Sequence, residues 1–273
     1  GDQIIYCTAN SGRETFYELE VSPATVNVQA FSTNVDVTDG LILTTGKYDM
    51  NGTMLTLGTV GSAGTLTGGG PSSYILGYKA TVNGIFKRYI PTIGSYLFPL
   101  GDLVNYTPYN LNLTSASFSN SFIESSLYDL PHPNLGSASS YISRYWKIEP
   151  TGITAPVFNT TYTYVDADVV GTESSLYPFR YLTAWMGSGG SGATCMQGTG
   201  SVNTITNVLT WNNMSSFGDF TGLGNGTPLP IVLLNFSASL VNNDGLINWV
   251  TSSEENNDKK YERVLRMQSG KLR

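Results

Sequence analysis

The runs Asn34-Val35-Asp36-Val37-Thr38, Leu41-Ile42-Leu43-Thr44, Lys47-Tyr48-Asp49-Met50, Met54-Leu55-Thr56-Leu57 and Gly64-Thr65-Leu66-Thr67 decide the fold class. Each is four or five residues long and they follow one another at intervals of roughly six to ten residues, the length and spacing of short strands. Asp-Gly, Thr-Gly and Asn-Gly pairs separate them, as turns require. Strands so short cannot bury their apolar residues singly, but stacked rungs make a continuous core with inward ladders of Leu, Val and Met. A β-solenoid-like segment is therefore expected over residues 1–84, bounded by the change in turn spacing near Gly77 to Gly84, with a series of hairpins in a sandwich as the alternative.

Beyond it the strands lengthen and aromatic residues accumulate. Tyr96, Phe98, Tyr106, Tyr109, Tyr141, Tyr145, Trp146, Tyr162, Tyr164, Tyr181, Trp185 and Trp211 fall in alternating runs that predict a two-sheet β-sandwich over 85–227. Most of these rings are expected in the core. The other reading is an exposed Tyr/Trp platform that stacks on sugars. Pro228-Leu229-Pro230 then marks a stiff boundary. After it, Ile231–Ala238 and Leu246–Thr251 read as a strand pair around Asn242-Asn243-Asp244-Gly245. Residues 228–273 are too few strands for a self-sufficient domain, so Val232, Leu234, Phe236 and Trp249 are the expected assembly interface, covered by the chain's own sandwich or by strands of a neighbouring copy.

Composition sets the remaining limits. Of 273 residues only 12% are charged, about half the usual fraction. About 60 Ser and Thr residues and 30 Gly supply polarity instead, which suits sheets and turns. Ten charged residues crowd into 254–273, with a net +2 there against −6 for the chain. An acidic balance argues against a nucleic-acid partner. No apolar run approaches the length of a membrane span. Gly1 is not followed by a charged and then an apolar leader segment, so the chain reads as a mature or trimmed product.

The residues resemble a known group at three places. Leu229-Pro230-Ile231-Val232-Leu233-Leu234-Asn235-Phe236-Ser237-Ala238, with Leu246-Ile247-Asn248-Trp249-Val250-Thr251-Ser252-Ser253-Glu254-Glu255-Asn256-Asn257, is similar to the opening of the fibronectin-type-III-like module of large Bacteroidetes surface proteins. Glu14–Val21 with Asp39–Gly52 resembles their repetitive solenoid-like segments. Tyr96-Leu97-Phe98-Pro99-Leu100-Gly101 and Ser143-Arg144-Tyr145-Trp146-Lys147-Ile148 resemble the sandwich that follows. The resemblance implies a secreted, extracellular, cell-surface protein of the kind exported by type IX secretion, partnered by copies of itself, other surface proteins or glycans. It carries no catalytic residues. After Tyr261-Glu262 the chain departs from the group, reading Arg263-Val264-Leu265-Arg266-Met267 where an Ile-Glu-Arg-Ser-like strand is expected.

Candidate chemistry is sparse. Asp166, Asp168 and Glu173 are the one dense carboxylate group in the body of the chain and the candidate calcium ligands. Their spacing lacks a third loop carboxylate, which favours a solvated turn. No other cofactor is expected. His132, between Pro131 and Pro133, reads as an exposed turn residue. Cys7 and Cys195 lie too far apart in sequence for a metal or redox motif and read as separate thiols, with a long-range disulfide as the alternative. Gly187, Gly189 and Gly192 satisfy GxGxxG without a helix to follow, and Glu254-Glu255 reads as a solvated edge. Nothing assembles a nucleophile, base and orienting group, so a non-enzymatic structural or adhesive module is expected. Its rivals are a carbohydrate-binding module and, more weakly, a glycan-active enzyme with scattered carboxylates.

Overall fold

The computed structural model describes residues 3–5, 12–23, 27–30, 32–79, 82–136, 138–187 and 199–224, and the backbone of 233–241, 244–251 and 265–266. The fold is all-β. Its only helical turns among the described residues are two 3-10 turns, Asp166–Asp168 and Glu173–Ser175. The chain divides into two compact units, Gly1–Thr227 and Pro228–Arg273.

The first unit begins with thirteen short strands: β1 (Gln3–Ile5), β2 (Arg13–Val21), β3 (Val28–Ala30), β4 (Asn34–Leu43), β5 (Gly46–Asp49), β6 (Met54–Leu57), β7 (Thr65–Gly68), β8 (Ser73–Leu76), β9 (Tyr78–Lys79), β10 (Val82–Asn83), β11 (Ile85–Tyr89), β12 (Gly94–Phe98) and β13 (Leu100–Gly101). Two parallel sheets organise most of them. One runs β1-β3-β5-β8-β13, with registers Gln3↔Val28, Val28↔Tyr48, Tyr48↔Ile75 and Ile75↔Leu100, so each pass of the chain takes about 20 to 27 residues. The other runs β2-β4-β6-β11, with β7 beside the second half of β4. Register alignment makes the inward ladders. Val28, Tyr48, Ile75 and Leu100 stack in the first sheet, and Val35, Leu55 and Phe86 in the second, all buried in one core.

Parallel pairing does not stop at Gly84, where the change in turn spacing suggested a boundary. That change marks the small β9–β10 hairpin, after which β11 still pairs parallel with β6, and β13 with β8. The far side of β11 pairs antiparallel with β14 (Tyr109–Tyr128), so the parallel sheet runs on into the antiparallel one without a break.

The antiparallel part is built on β14 and its partner strand. Between them lies β15 (Tyr141–Ile142), and then β16 (Tyr145–Thr163) pairs with β14 along nearly its whole length. Register shifts between Leu113 and Phe122 mark bulges, which bend a long strand and let its two ends serve different partners. Accordingly β14 takes β12 at one end and β11 at the other. The remaining strands are β17 (Val169–Val170), β18 (Leu176–Tyr181), β19 (Trp185–Gly187), β20 (Thr199–Asn203), β21 (Val208–Met214) and β22 (Asp219–Gly224). Of these, β21 and β22 pair with opposite ends of β16. Aromatic rings fill this core in a continuous stack. Ring centroids lie 4.4 Å apart for Phe98–Tyr109, 5.1 Å for Tyr109–Tyr162 and 5.0 Å for Tyr162–Phe220, with Trp146 and Trp211 against Tyr162.

In the second unit β23 (Leu233–Val241), β24 (Asp244–Thr251) and β25 (Leu265–Arg266) pair antiparallel in that order. Phe236 and Trp249 are direct register partners, and Leu234 sits at a register irregularity between Leu233 and Asn235. Val232 lies outside the described residues, as do Cys7, Cys195, Gly189, Gly192, Glu254 and Glu255.

Candidate functional site

The three carboxylates weighed as candidate calcium ligands are not gathered into a site. Asp166 accepts a hydrogen bond from the Asn207 amide at 2.6 Å, and Glu173 accepts one from the Tyr164 hydroxyl at 2.8 Å. Asp168 is buried and accepts from Arg144 Nε at 2.7 Å. No group of three His, Cys, Asp or Glu side chains is placed to hold a metal ion among the described residues.

Arg144 is fully buried, and its guanidinium ties three loops together. It bonds Asp102 at 2.7 Å, Asp129 at 2.9 Å and Asp168 through two nitrogens. One cation among three carboxylates leaves excess negative charge, and the structure distributes it unevenly. Burial alone would raise the Asp102 carboxyl, but N–H groups of Val104 and Asn105 and the Arg144 guanidinium outweigh it and hold it below the usual range. Asp129, the most exposed of the three, goes the other way. Burial pushes it up, and the Asp102 and Asp168 carboxylates add to this against the pull of Arg144.

His132 is not the exposed turn residue its flanking prolines suggested. It is 3% exposed, and its ring sits 4.8 to 4.9 Å from the rings of Tyr145, Tyr181 and Trp185. Its Nδ1 accepts the Asn134 N–H at 3.1 Å, so Nε2 is the nitrogen that donates to Asp219, also at 3.1 Å. The Tyr/Trp set weighed as a sugar platform is likewise mostly interior. Tyr96, Tyr109, Tyr145, Trp146, Tyr162, Tyr164, Trp185 and Trp211 are all buried. These constellations hold the fold together.

A different surface has the form of a binding site. It lies on the outward face of β2, β4, β6 and β11 as an open groove of about 460 Å³, lined by Arg13, Thr15, Asp36, Thr38, Met54, Thr56, Gly58, Thr59, Val60, Lys87 and Tyr89. Such a volume lies within the range of small-molecule sites. Strand alternation turns these side chains outward while Val35, Val37, Leu55 and Phe86 turn in.

Register places them in rows across the strands. One row is Thr15, Asp36, Thr56, Lys87 and Glu124, each the partner of the next on successive strands. Above it, Thr38, Gly58 and Tyr89 each follow a residue of the Val37–Leu57–Arg88 row, and Tyr89 pairs with Phe122. The Gly58 N–H bonds the Val37 carbonyl at 2.9 Å, closing the Val37–Leu57 pair. Gly58 follows the last residue of β6. Its φ is +89°, and a Cβ there would meet the Ser62 carbonyl oxygen at 2.4 Å, so the turn after β6 demands glycine and packs its own backbone where a side chain would stand.

Charges at the groove are paired. Arg13 forms an ion pair with Asp36. The Lys87 ammonium lies 3.7 Å from Glu124 and 3.5 Å from the Phe122 ring centroid, and Tyr89 makes a T-shaped contact with that same ring, their centroids 5.8 Å apart. The groove thus offers an aromatic side chain held at one wall, hydroxyls on its floor and a carboxylate–guanidinium pair at the other wall. Alternation in Asn34–Thr38 marks Asp36 and Thr38 as outward, but only the register of four strands from separate passes brings the site together.

No helix among the described residues is long and apolar enough to cross a membrane. No known family matches the chain, and no curated protein or solved structure matches it.

Proposed function

We propose that the chain is a structural and adhesive module of an extracellular bacterial surface protein, of the kind the Bacteroidetes resemblance implies, and that its working surface is the outer face of β2, β4, β6 and β11. The observation that carries this reading is the groove itself. It is a concave, chemically mixed surface mounted on strands whose inner faces are locked in a stacked core, so its side chains are held in place before any ligand arrives. Binding of this kind needs presentation and rigidity, and the fold supplies both.

An adhesion-inhibition assay tests it. Source cells settle on layers of mucin, extracellular-matrix protein or polysaccharide, and excess soluble chain is added as competitor. We expect the wild-type chain to reduce attachment to at least one layer, and Thr38→Arg, which puts a long side chain into the groove, to compete at least tenfold less well. Equal competition by both chains, or none by either, overturns the reading. The second unit adds a means of extension. Among the described residues β23 is paired on one side, by β24, and an edge strand of that length can accept a strand from another copy.

A further inference from the structure

Resting on that reading of the groove, we propose that its ligand is a neutral sugar unit of a glycan, with a pyranose ring against Tyr89 and its hydroxyls on the Arg13–Asp36 pair.

Three features of the site select this chemistry. The first is charge. Arg13 is answered by Asp36, and Lys87 by Glu124 and the Phe122 ring. A phosphate or sulfate ligand would have to draw one of these cations away from its partner, whereas a neutral polyol takes hydrogen bonds from the pairs as they stand. An ion pair at a groove wall offers both donors and acceptors, which is what adjacent sugar hydroxyls need.

The second feature is the aromatic wall. A half-exposed Tyr89 lines the groove, and its T-shaped contact with Phe122 and the Lys87 ammonium 5.6 Å from its ring centroid hold the ring in orientation, so one wall of the groove is aromatic. The C–H face of a pyranose packs on such a ring while its hydroxyls remain directed to polar partners. Purely aliphatic ligands would leave the Asp36 and Thr15 side unsatisfied.

The third is size. Thr38 and Tyr89 each follow a residue of the Val37–Leu57–Arg88 row, so their backbones are two strand spacings apart, roughly 10 Å. One ring fits across that span. The floor below is Thr56, and the lip is Thr59 and Val60. Because the groove is open, the bound unit can belong to a longer chain that continues past it.

The test uses the whole chain and titrates it with defined probes: gluco-, manno- and xylo-oligosaccharides as neutral ligands, and oligogalacturonate and a heparin fragment as acidic ones. We expect saturable binding of at least one neutral probe. Tyr89→Ala should weaken it roughly tenfold, the scale of one lost aromatic contact. Tyr89→Phe should keep it, Asp36→Asn should weaken it, and Lys147→Gln, outside the groove, should change it less than threefold. Circular dichroism and a melting curve verify that each variant is folded. If Tyr89→Ala does not fold, protection of wild-type Tyr89 from tyrosine iodination by the bound oligosaccharide replaces it.

Binding of acidic probes alone, with loss in Lys87→Gln, overturns the proposal, and so does neutral binding indifferent to Tyr89. Adhesion competed by the soluble chain but not by any oligosaccharide leaves the adhesive reading standing and sinks the sugar. No competition by the wild-type chain sinks the adhesive reading first.

Discussion

Arg144 is the residue on which most of the buried charge converges, so its replacement gives a sharp test. In Arg144→Met, Asp102 and Asp168 lose the guanidinium and remain buried. Removing one partner of a buried ionic network costs about 3 to 5 kcal/mol, because the carboxylates left behind stay desolvated. Chemical denaturation should show that loss. The same network gives a pH dependence with two parts. Asp102 is held below its ordinary value when folded, so its stabilisation is complete above the unfolded carboxylate range and fades as pH falls through it. Asp129 is raised when folded, so it favours the folded state in acid, and that contribution is lost as pH rises past its folded value. Stability should therefore peak in mildly acidic solution. Asp129→Asn should raise Tm at pH 7 and flatten the neutral side of the profile, and a lowered Tm at pH 7 would contradict the assignment. None of this was visible in the sequence. Asp102, Asp129, Arg144 and Asp168 belong to four separate segments, and His132 likewise is buried by rings from Tyr145, Tyr181 and Trp185 that its own neighbours do not announce.

At the level of strands and turns, legibility follows locality. The alternation in Asn34–Thr38 and Met54–Leu57 is a local signal, so their strands and inward residues could be read directly, as could the interior fate of most of the Tyr and Trp residues. Register is not local. The β9–β10 hairpin imitated a domain boundary because turn spacing changes there, although the parallel pairing continues through β11 and β13. The groove depends on the same non-local pairing and on one turn, and Gly58 tests that turn. Gly58→Ala puts a Cβ against the Ser62 carbonyl in a left-handed backbone that alanine resists. We expect a loss exceeding about 1 kcal/mol in chemical denaturation, with the 58–62 turn at the edge of the groove displaced. An unchanged midpoint would mean that the turn has another conformation close in energy.

The whole molecule poses the question of how the second unit contributes. Its described part is three strands, with β23 and β24 accounting for nearly all the pairing. A sheet of that size gains little independent stability in water, since too few residues can be buried to offset chain entropy. Either the rest of the chain or another copy must supply the missing contacts. Addition of a neighbour's strand along β23 would be a head-to-tail contact, and such a contact closes into a ring only if its rotation permits, and otherwise extends as a filament. The two outcomes separate on deletion of residues 229–273. The first unit has its own continuous core, so it should stay folded by circular dichroism without them. If strand exchange drives assembly, light scattering on the full chain should show particles that grow with concentration, and the shortened chain should remain monomeric. Proline at Ser237, which removes a backbone donor in the middle of β23, should weaken the pairing in the full chain without touching the first unit. A full chain that stays monomeric at all concentrations, or a shortened one that assembles equally well, would remove the second unit from any role in assembly and leave the groove face as the sole functional surface proposed.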